Sequence, residues 1–196
     1  MTQLSSKYWE QRYVDKNTGW DVGDVVPQWK AFFKDFTSID KRKRILVPGA
    51  GLGHEVEYLH RTGFQDVHIL DWSSSAIESF QQRVPTFPKD HCHVGDFFEH
   101  KGQYDVIVEQ TFFCAIDLSL RKEYVFAIDN MLRKKGQWVA MLFNTQFDGD
   151  GPPFGGSIDE YMDLFKGVFK EVVIDEEPAS IDPRKGREVF VIGRRK

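Results

Sequence analysis

Apolar residues fall in short blocks along the chain, and the spacing inside each block switches between two periods. "RILVP" (44–48), "DVHILD" (66–71), "YDVIVEQ" (104–110) and "QWVAMLFN" (137–144) are compact apolar runs. They are too short for core helices and read as strands buried on both faces. "HEVEYLHRTG" (54–63), "SSSAIESFQQRV" (73–84) and "LSLRKEYVFAIDNML" (118–132) instead bring an apolar residue round every three or four positions. That is the period of a helix with one buried face. Gly63 closes the first of these helices, Ser73 or Ser74 caps the second, and "LRKKG" (132–136) ends the third. "HCHVGD" (91–96) reads as another short strand. "SIDEYMDLFKG" (157–167) reads as a helix with the Ser157–Glu160 spacing of a capping box. "FKEVVIDEE" (169–177) and "REVFVIGRR" (187–195) are alternating strands joined by the polar stretch "PASIDPRKG" (178–186).

Strand and helix thus alternate five times before a closing strand pair. The order predicts an α/β fold: a mainly parallel, seven-stranded sheet with helices on both faces and an antiparallel C-terminal edge. The first forty residues are polar and aromatic and stand apart as one or two short helices. Pro27 opens "PQWKAFFKDF", where Trp29, Phe32, Phe33 and Phe36 share helical spacing. The expectation is one domain over residues 1–196, with 1–40 as a helical lid and 41–196 as the α/β core.

Composition narrows the class of function. Aromatics make up 14% of the chain, with 17 Phe and 5 Trp, enough for some rings to line a site. The net charge of −4, with both signs interspersed, argues against a nucleic-acid partner. No run approaches the roughly 18 apolar residues of a membrane span, and "MTQLSSKYWEQRY" lacks the apolar centre of a signal peptide. A soluble cytoplasmic protein, monomeric or weakly dimeric, is expected. Cys92 and Cys114 form no metal spacing, the six His are scattered, and His91-x-His93 reads as surface, so no metal is expected.

"RILVPGAGLGHE" (44–55) sets Gly49, Gly51 and Gly53 directly behind the first strand. In such sheets ligands sit beyond the carboxyl ends of the strands, and glycine there allows close backbone approach. The dinucleotide pattern fails in both frames, because its third glycine would fall at His54 or Val56, and no Gly-Lys-Ser/Thr follows for a phosphate loop. Asp71 ends the second strand, 20 positions beyond Gly51, where a carboxylate can accept from ribose hydroxyls. Asp96-Phe97 follows the third strand, placed to meet an adenine. The three strand ends together describe an adenosyl ligand with no pyrophosphate.

With these pieces in place, the chain resembles the thiopurine S-methyltransferase family of class I S-adenosylmethionine-dependent methyltransferases, whose fold is Rossmann-like. "YWEQRYVDKNTGWDVG", "LVPGAGLGHE", "GDFF" and "GPPF" carry the likeness from about Trp9 to Phe165. "TFFCAIDLSLRKEYV" is most similar to the branch that methylates thiols, bisulfide, thiocyanate and halide ions. Glu109-Gln110 stands where members nearer the thiopurine enzyme have Asp-Arg, so thiopurine activity is the second choice. The resemblance implies S-adenosylmethionine as donor, S-adenosylhomocysteine as product and a small or anionic acceptor. It implies that Trp9, Tyr13 and Trp20 close over the donor, that Gly49, Gly51 and Gly53 lie under its methionine part, that Asp71 and Trp72 hold the ribose and that Asp96 and Phe97 hold the adenine. It places Glu109 and Gln110 near the sulfonium as positioning residues, and has Phe112, Phe113, Pro153 and Phe154 wall the acceptor side. A pre-ionised acceptor needs alignment and dryness rather than a base. For a thiol, only a few per cent ionised near neutrality, Glu109 or His54 is the candidate base. A donor-binding module without turnover is the alternative of another class.

Overall fold

Alternate residues of each strand feed opposite sides of one sheet, as the two-residue period of a strand requires. Ile45 and Val47 of β1 (Arg44–Pro48), Val67 and Ile69 of β2 (Asp66–Asp71) and Val106 and Val108 of β4 (Tyr104–Gln110) face one core. Leu46, Leu70, Tyr104 and Ile107 face the other. Both faces are therefore buried, which explains the unbroken apolar runs. The computed structural model describes residues 4–196, so the first three positions of the expected lid lie outside the described residues.

The sheet has seven strands in the order β3-β2-β1-β4-β5-β7-β6, with β3 at Cys92–Val94, β5 at Leu132–Phe143, β6 at Glu171–Asp175 and β7 at Glu188–Arg194. β1 to β5 pair in parallel, and β7 pairs antiparallel with both β5 and β6. Helix α1 (Ser6–Val14) and helix α2 (Pro27–Phe33) precede the sheet, and α3 (His54–Arg61), α4 (Ser74–Arg83), α5 (Arg121–Met131) and α6 (Ile158–Lys166) connect its strands. The predicted fold class holds, down to the antiparallel edge. The strand order reverses between β1 and β4, which opens a crevice at their carboxyl ends.

One boundary is corrected. "LRKKG" does not end the third connecting helix. α5 stops at Met131, and Leu132, fully buried, already pairs with Tyr104 in the sheet. The ladder resumes at Val106–Gln137, so Arg133 to Gly136 loop out as an irregularity. Burial of Leu132 overrides the helical preference of the lysines that follow. The capping box is half made: Ser157 accepts from the Glu160 N–H, whereas the Glu160 carboxylate turns to Arg121.

Candidate active site

The crevice holds a cavity of about 490 Å³ between the carboxyl ends of β1, β2, β3 and β4 and the N-terminal segment. Its floor is the turn from β1 to α3. Gly49, Gly51 and Gly53 all take left-handed backbone, with φ of 56°, 54° and 71°. Their neighbours separate them. A Cβ on Gly49 would overlap the Phe112 ring, and one on Gly51 would lie 2.5 Å from the Tyr13 hydroxyl; both positions line the cavity. A Cβ on Gly53 would meet Phe80 and Ile69, so this glycine lets α3 pack on β2 and does not face the cavity. Its assignment to the donor is thereby corrected.

Asp71, almost fully buried at the end of β2, ties the turn together. Its Oδ2 accepts from the Gly51 N–H and its Oδ1 from the Ser73 N–H, both at 2.8 Å. A carboxylate has about four acceptor positions, so both oxygens keep capacity for a ligand. Burial raises the Asp71 pKa, the backbone bonds oppose this, and the nearby Glu10 carboxylate adds to the rise. Asp96 makes a local turn by accepting from the Phe98 N–H at 2.8 Å, and lines the cavity with Trp72, Phe97 and Phe98. Phe97 is mostly core, stacked on Tyr124 at 5.1 Å. Phe98, half-buried and lining the cavity, is the ring that the sequence did not single out.

The lid covers this floor. Trp20 packs edge-on against Trp9 at 5.5 Å and Tyr13 at 5.9 Å, and all three line the cavity. Burial, then the charge of Asp71, drives the Tyr13 pKa upward, so its hydroxyl stays neutral. α1 is anchored by Glu10, whose carboxylate accepts from the Ser73, Ser74 and Ser75 hydroxyls at the start of α4. A negative group suits that end of a helix, and the hydrogen bonds lower its pKa. Glu10 stands inside the "YWEQRY" motif, but no spacing rule reveals that its partner is the "SSS" run over 60 residues away.

At the end of β4 the two paired candidates part company. Gln110 lines the cavity; its Oε1 accepts from the Trp29 indole N–H at 3.0 Å, and its buried amide nitrogen has no hydrogen-bond partner. Glu109 is fully buried and does not reach the cavity, which corrects its placement beside the sulfonium and its candidacy as base. It staples the following turn instead: its Oε1 accepts from the Phe112 and Phe113 N–H groups at 2.7 and 2.9 Å. Burial raises its pKa to about 7. The next two rings divide likewise. Phe112 lines the cavity, whereas Phe113 is buried against Tyr124 and Tyr161 with the Arg121 guanidinium 4.6 Å from its ring, so it belongs to the core. Pro152 and Pro153 reach the cavity and Phe154 does not; the Phe154 N–H donates to the Cys114 carbonyl at 2.7 Å and moors the loop. Phe143, Phe147, Ile116 and Leu120 complete that wall.

His54, the first residue of α3, lines the cavity with Nε2 at 2.8 Å from Asp21 Oδ1 of the lid. Glu55 beside it is buried, and burial lifts its pKa to about 7. Arg184, from the turn before β7, also reaches the wall and donates to the Trp20 carbonyl at 2.9 Å. Asp21, Glu55 and Arg184 were not foreseen, because their meeting depends on the lid folding over the sheet.

Comparison with known proteins identifies the family. The family model described as thiopurine S-methyltransferase (TPMT) matches residues 4–192. Thiocyanate methyltransferase 1 of Brassica oleracea is 33% identical over 187 residues, which cover 92% of this chain and 81% of that one. Probable thiol methyltransferase 2 of Arabidopsis thaliana is 29% identical over 196 residues, covering 96% and 84%. Among solved structures, the Burkholderia thailandensis 1,6-didemethyltoxoflavin-N1-methyltransferase, with 1,6-didemethyltoxoflavin and S-adenosylhomocysteine bound, matches with a TM-score of 0.71 at 16% identity. The match covers 98% of this chain and 88% of that one. The chain belongs to the thiopurine S-methyltransferase family and is a methyltransferase.

Proposed function

We propose that the protein transfers the methyl group of S-adenosylmethionine to a small soft nucleophile: a thiol, bisulfide, thiocyanate or a halide ion. The observation that carries this reading is a cavity with two unlike ends, a polar floor built on glycines and an aromatic, loop-built wall. The floor fits the donor, since a Cβ at Gly49 or Gly51 would fill the space where its amino-acid arm lies, and Asp71 and Asp96 keep free acceptor capacity at consecutive strand ends. When bound, the donor supplies an electrophilic methyl on a positive sulfur. Trp9, Tyr13 and Trp20 line that end and would attract the charge through ring faces, each face-on contact worth about 0.5–2 kcal/mol. Phe112, Phe147, Ile116 and the two prolines keep water from the acceptor and hold it in line, the chief source of rate when no proton must move.

A thiol acceptor needs to lose a proton, and His54, oriented by Asp21, takes the role that burial denies Glu109. His54→Asn is expected to slow thiol turnover at least tenfold and iodide turnover less than twofold; equal losses would remove the base. The acidic net charge and the absence of a helix long and apolar enough to cross a membrane among the described residues support action on a dissolved small molecule in the cytoplasm. Lid and core act as one domain, monomeric or weakly dimeric. The test is a panel of iodide, thiocyanate, bisulfide, alkyl thiols and a thiopurine with purified protein, followed by S-adenosylhomocysteine release. Turnover of the small acceptors is expected. Turnover of the thiopurine alone would overturn the assignment, and donor binding without any turnover would make the protein a binding module.

A further inference from the structure

Four of the six histidines, His68, His91, His93 and His100, gather on one patch beside β2. Parallel pairing sets Ile69 beside Cys92 and Leu70 beside His93, and His91 stands in the turn just before β3. The His68 and His91 rings stack at 4.2 Å, and those of His68 and His93 at 5.2 Å. Asp66, at the head of β2, joins them: its Oδ1 lies 2.8 Å from His68 Nε2 and 4.0 Å from His91 Nε2. His100 follows, its ring tilted against that of His93 and its Nε2 2.7 Å from the Tyr104 hydroxyl. Arg44 sits over the Tyr104 ring, at 5.2 Å.

The proton positions are constrained. His91 Nδ1 lies 3.0 Å from the Val67 carbonyl, which only accepts, so Nδ1 carries a proton and Nε2 is the nitrogen turned toward the Asp66 carboxylate. The other ring nitrogen of His68 is likewise engaged, Nδ1 lying 3.0 Å from His93 Nε2. Such outer bonds, to a carbonyl and to a second imidazole, are what orient histidines that hold metals.

The spacing also suits an ion. Asp66 Oδ1, His68 Nε2 and His91 Nε2 all lie within 4.8 Å of one another. A point equidistant from all three is about 2.0–2.4 Å from each, against bond lengths of about 2.0–2.2 Å for zinc to imidazole or carboxylate. Asp66 and His91 remain partly exposed, at 38% and 20% of their side chains, which leaves an entry path and room for water as a fourth ligand. His68 then carries its proton on Nδ1 and donates to His93 Nε2, and the His93 tautomer switches with it.

We propose that Asp66, His68 and His91 form a binding site for a divalent transition-metal ion, zinc foremost, that clamps the edge strand β3 to β2. Two imidazoles and one carboxylate favour Zn²⁺, Co²⁺, Ni²⁺ or Cu²⁺ over Mg²⁺ and Ca²⁺. The site is remote from methyl transfer, since five residue steps of about 3.3 Å along β2 separate Asp66 from Asp71 by about 16 Å. Its influence is on the edge: β3 has three residues and runs straight into the Gly95–Asp96 wall of the cavity.

The test is calorimetric titration of the whole metal-free protein with ZnCl2, joined to the visible spectrum of the Co²⁺ form. One equivalent of Zn²⁺ is expected to bind, with a rise in Tm and with Co²⁺ bands free of the near-ultraviolet absorption of a thiolate ligand. His91→Ala and Asp66→Asn change partly exposed side chains and leave the core intact; each is expected to weaken zinc at least tenfold and to abolish the Tm rise. His60→Ala, on α3, is the control and is expected to leave both unchanged. Absence of stoichiometric binding, full binding by both His91→Ala and Asp66→Asn, or a thiolate band from Cys92 would each overturn the site.

Discussion

The floor of the cavity is built from residues next to strand ends and bonded to one another, whereas the opposite wall is built from segments that meet only in the folded chain. Gly49, Gly51, Asp71 and Asp96 all lie within a few positions of the end of a strand, and the two carboxylates accept from backbone N–H groups of their own turns and, for Asp71, of the neighbouring glycine turn. Phe112, Ile116 and Leu120 come from the segment after β4, Phe143 from the end of β5, Phe147, Pro152 and Pro153 from the loop beyond, and Arg187 from the residue before β7. A donor of fixed shape is met by rigid backbone geometry. An acceptor that differs between family members is met by loops, which change without disturbing the sheet.

The floor is the place for the largest effect. Asp71→Ala removes the acceptor for two buried N–H groups and for the donor's sugar at once. Each lost bond to a charged group is worth about 1.5–3 kcal/mol, so S-adenosylhomocysteine affinity is expected to fall at least ~30-fold by calorimetry. Unchanged affinity would show that the floor does not bind the donor. Gly51→Ala follows. Left-handed backbone penalises a side chain by roughly 1–2 kcal/mol, and the new Cβ presses on the Tyr13 hydroxyl, so about a tenfold loss is expected. Adding Tyr13→Phe relieves the contact but not the backbone penalty, and is expected to restore part of the loss.

This contrast also explains what the sequence disclosed. Strands β1, β2 and β4 were legible to the residue because burial on both faces leaves an unbroken apolar run. The three strand ends of the floor were legible because a turn needing glycine, or a carboxylate accepting from its own turn, is a local demand. Glu109 and Gln110 show where local reading stops. Neighbours on a strand point to opposite sides, so one of any such pair reaches the cavity, and the pattern does not say which. Phe112 and Phe113 repeat the case. Phe98, Phe147, Asp21, Glu55 and Arg184 went unnoticed because each enters through contacts tens of residues away. His68 and Asp66 were hidden beside His91-x-His93 for a similar reason, since strand register brings them together.

On the wall, Phe147→Ala tests whether the aromatic side governs the acceptor alone. Phe147 packs edge-on against Phe143 at 4.9 Å, and the Arg187 guanidinium sits 5.0 Å from its ring. Its loss widens the wall without touching the glycine turn. Removing such an apolar contact alters acceptor binding by about 1–2 kcal/mol, so the KM for iodide is expected to rise roughly five- to thirtyfold and bulkier thiols to gain relative to it. Donor affinity, measured with S-adenosylhomocysteine, is expected to stay within twofold. A matching loss on both sides would mean that the halves are not separate.

The smallest effect falls on the seam between the halves, where Glu109 joins the end of β4 to the turn that carries Phe112. Burial raises its folded pKa from an ordinary 4.5 to about 7. A carboxyl raised in this way favours the folded state fully below the unfolded pKa, and that contribution is lost as pH rises through the folded one. Stability is therefore expected to decline between about pH 4.5 and 7 through this group, with Glu55 acting in the same direction. Glu109→Gln keeps an oxygen for the Phe112 and Phe113 N–H groups but cannot ionise. Its Tm is expected to fall less from pH 5 to pH 8 than that of the parent, by a few degrees, corresponding to about 1–3 kcal/mol, while turnover of iodide and thiol changes less than twofold. A selective collapse of thiol turnover in this variant would return Glu109 to the chemistry, and would mean that the wall opens farther than its packing shows.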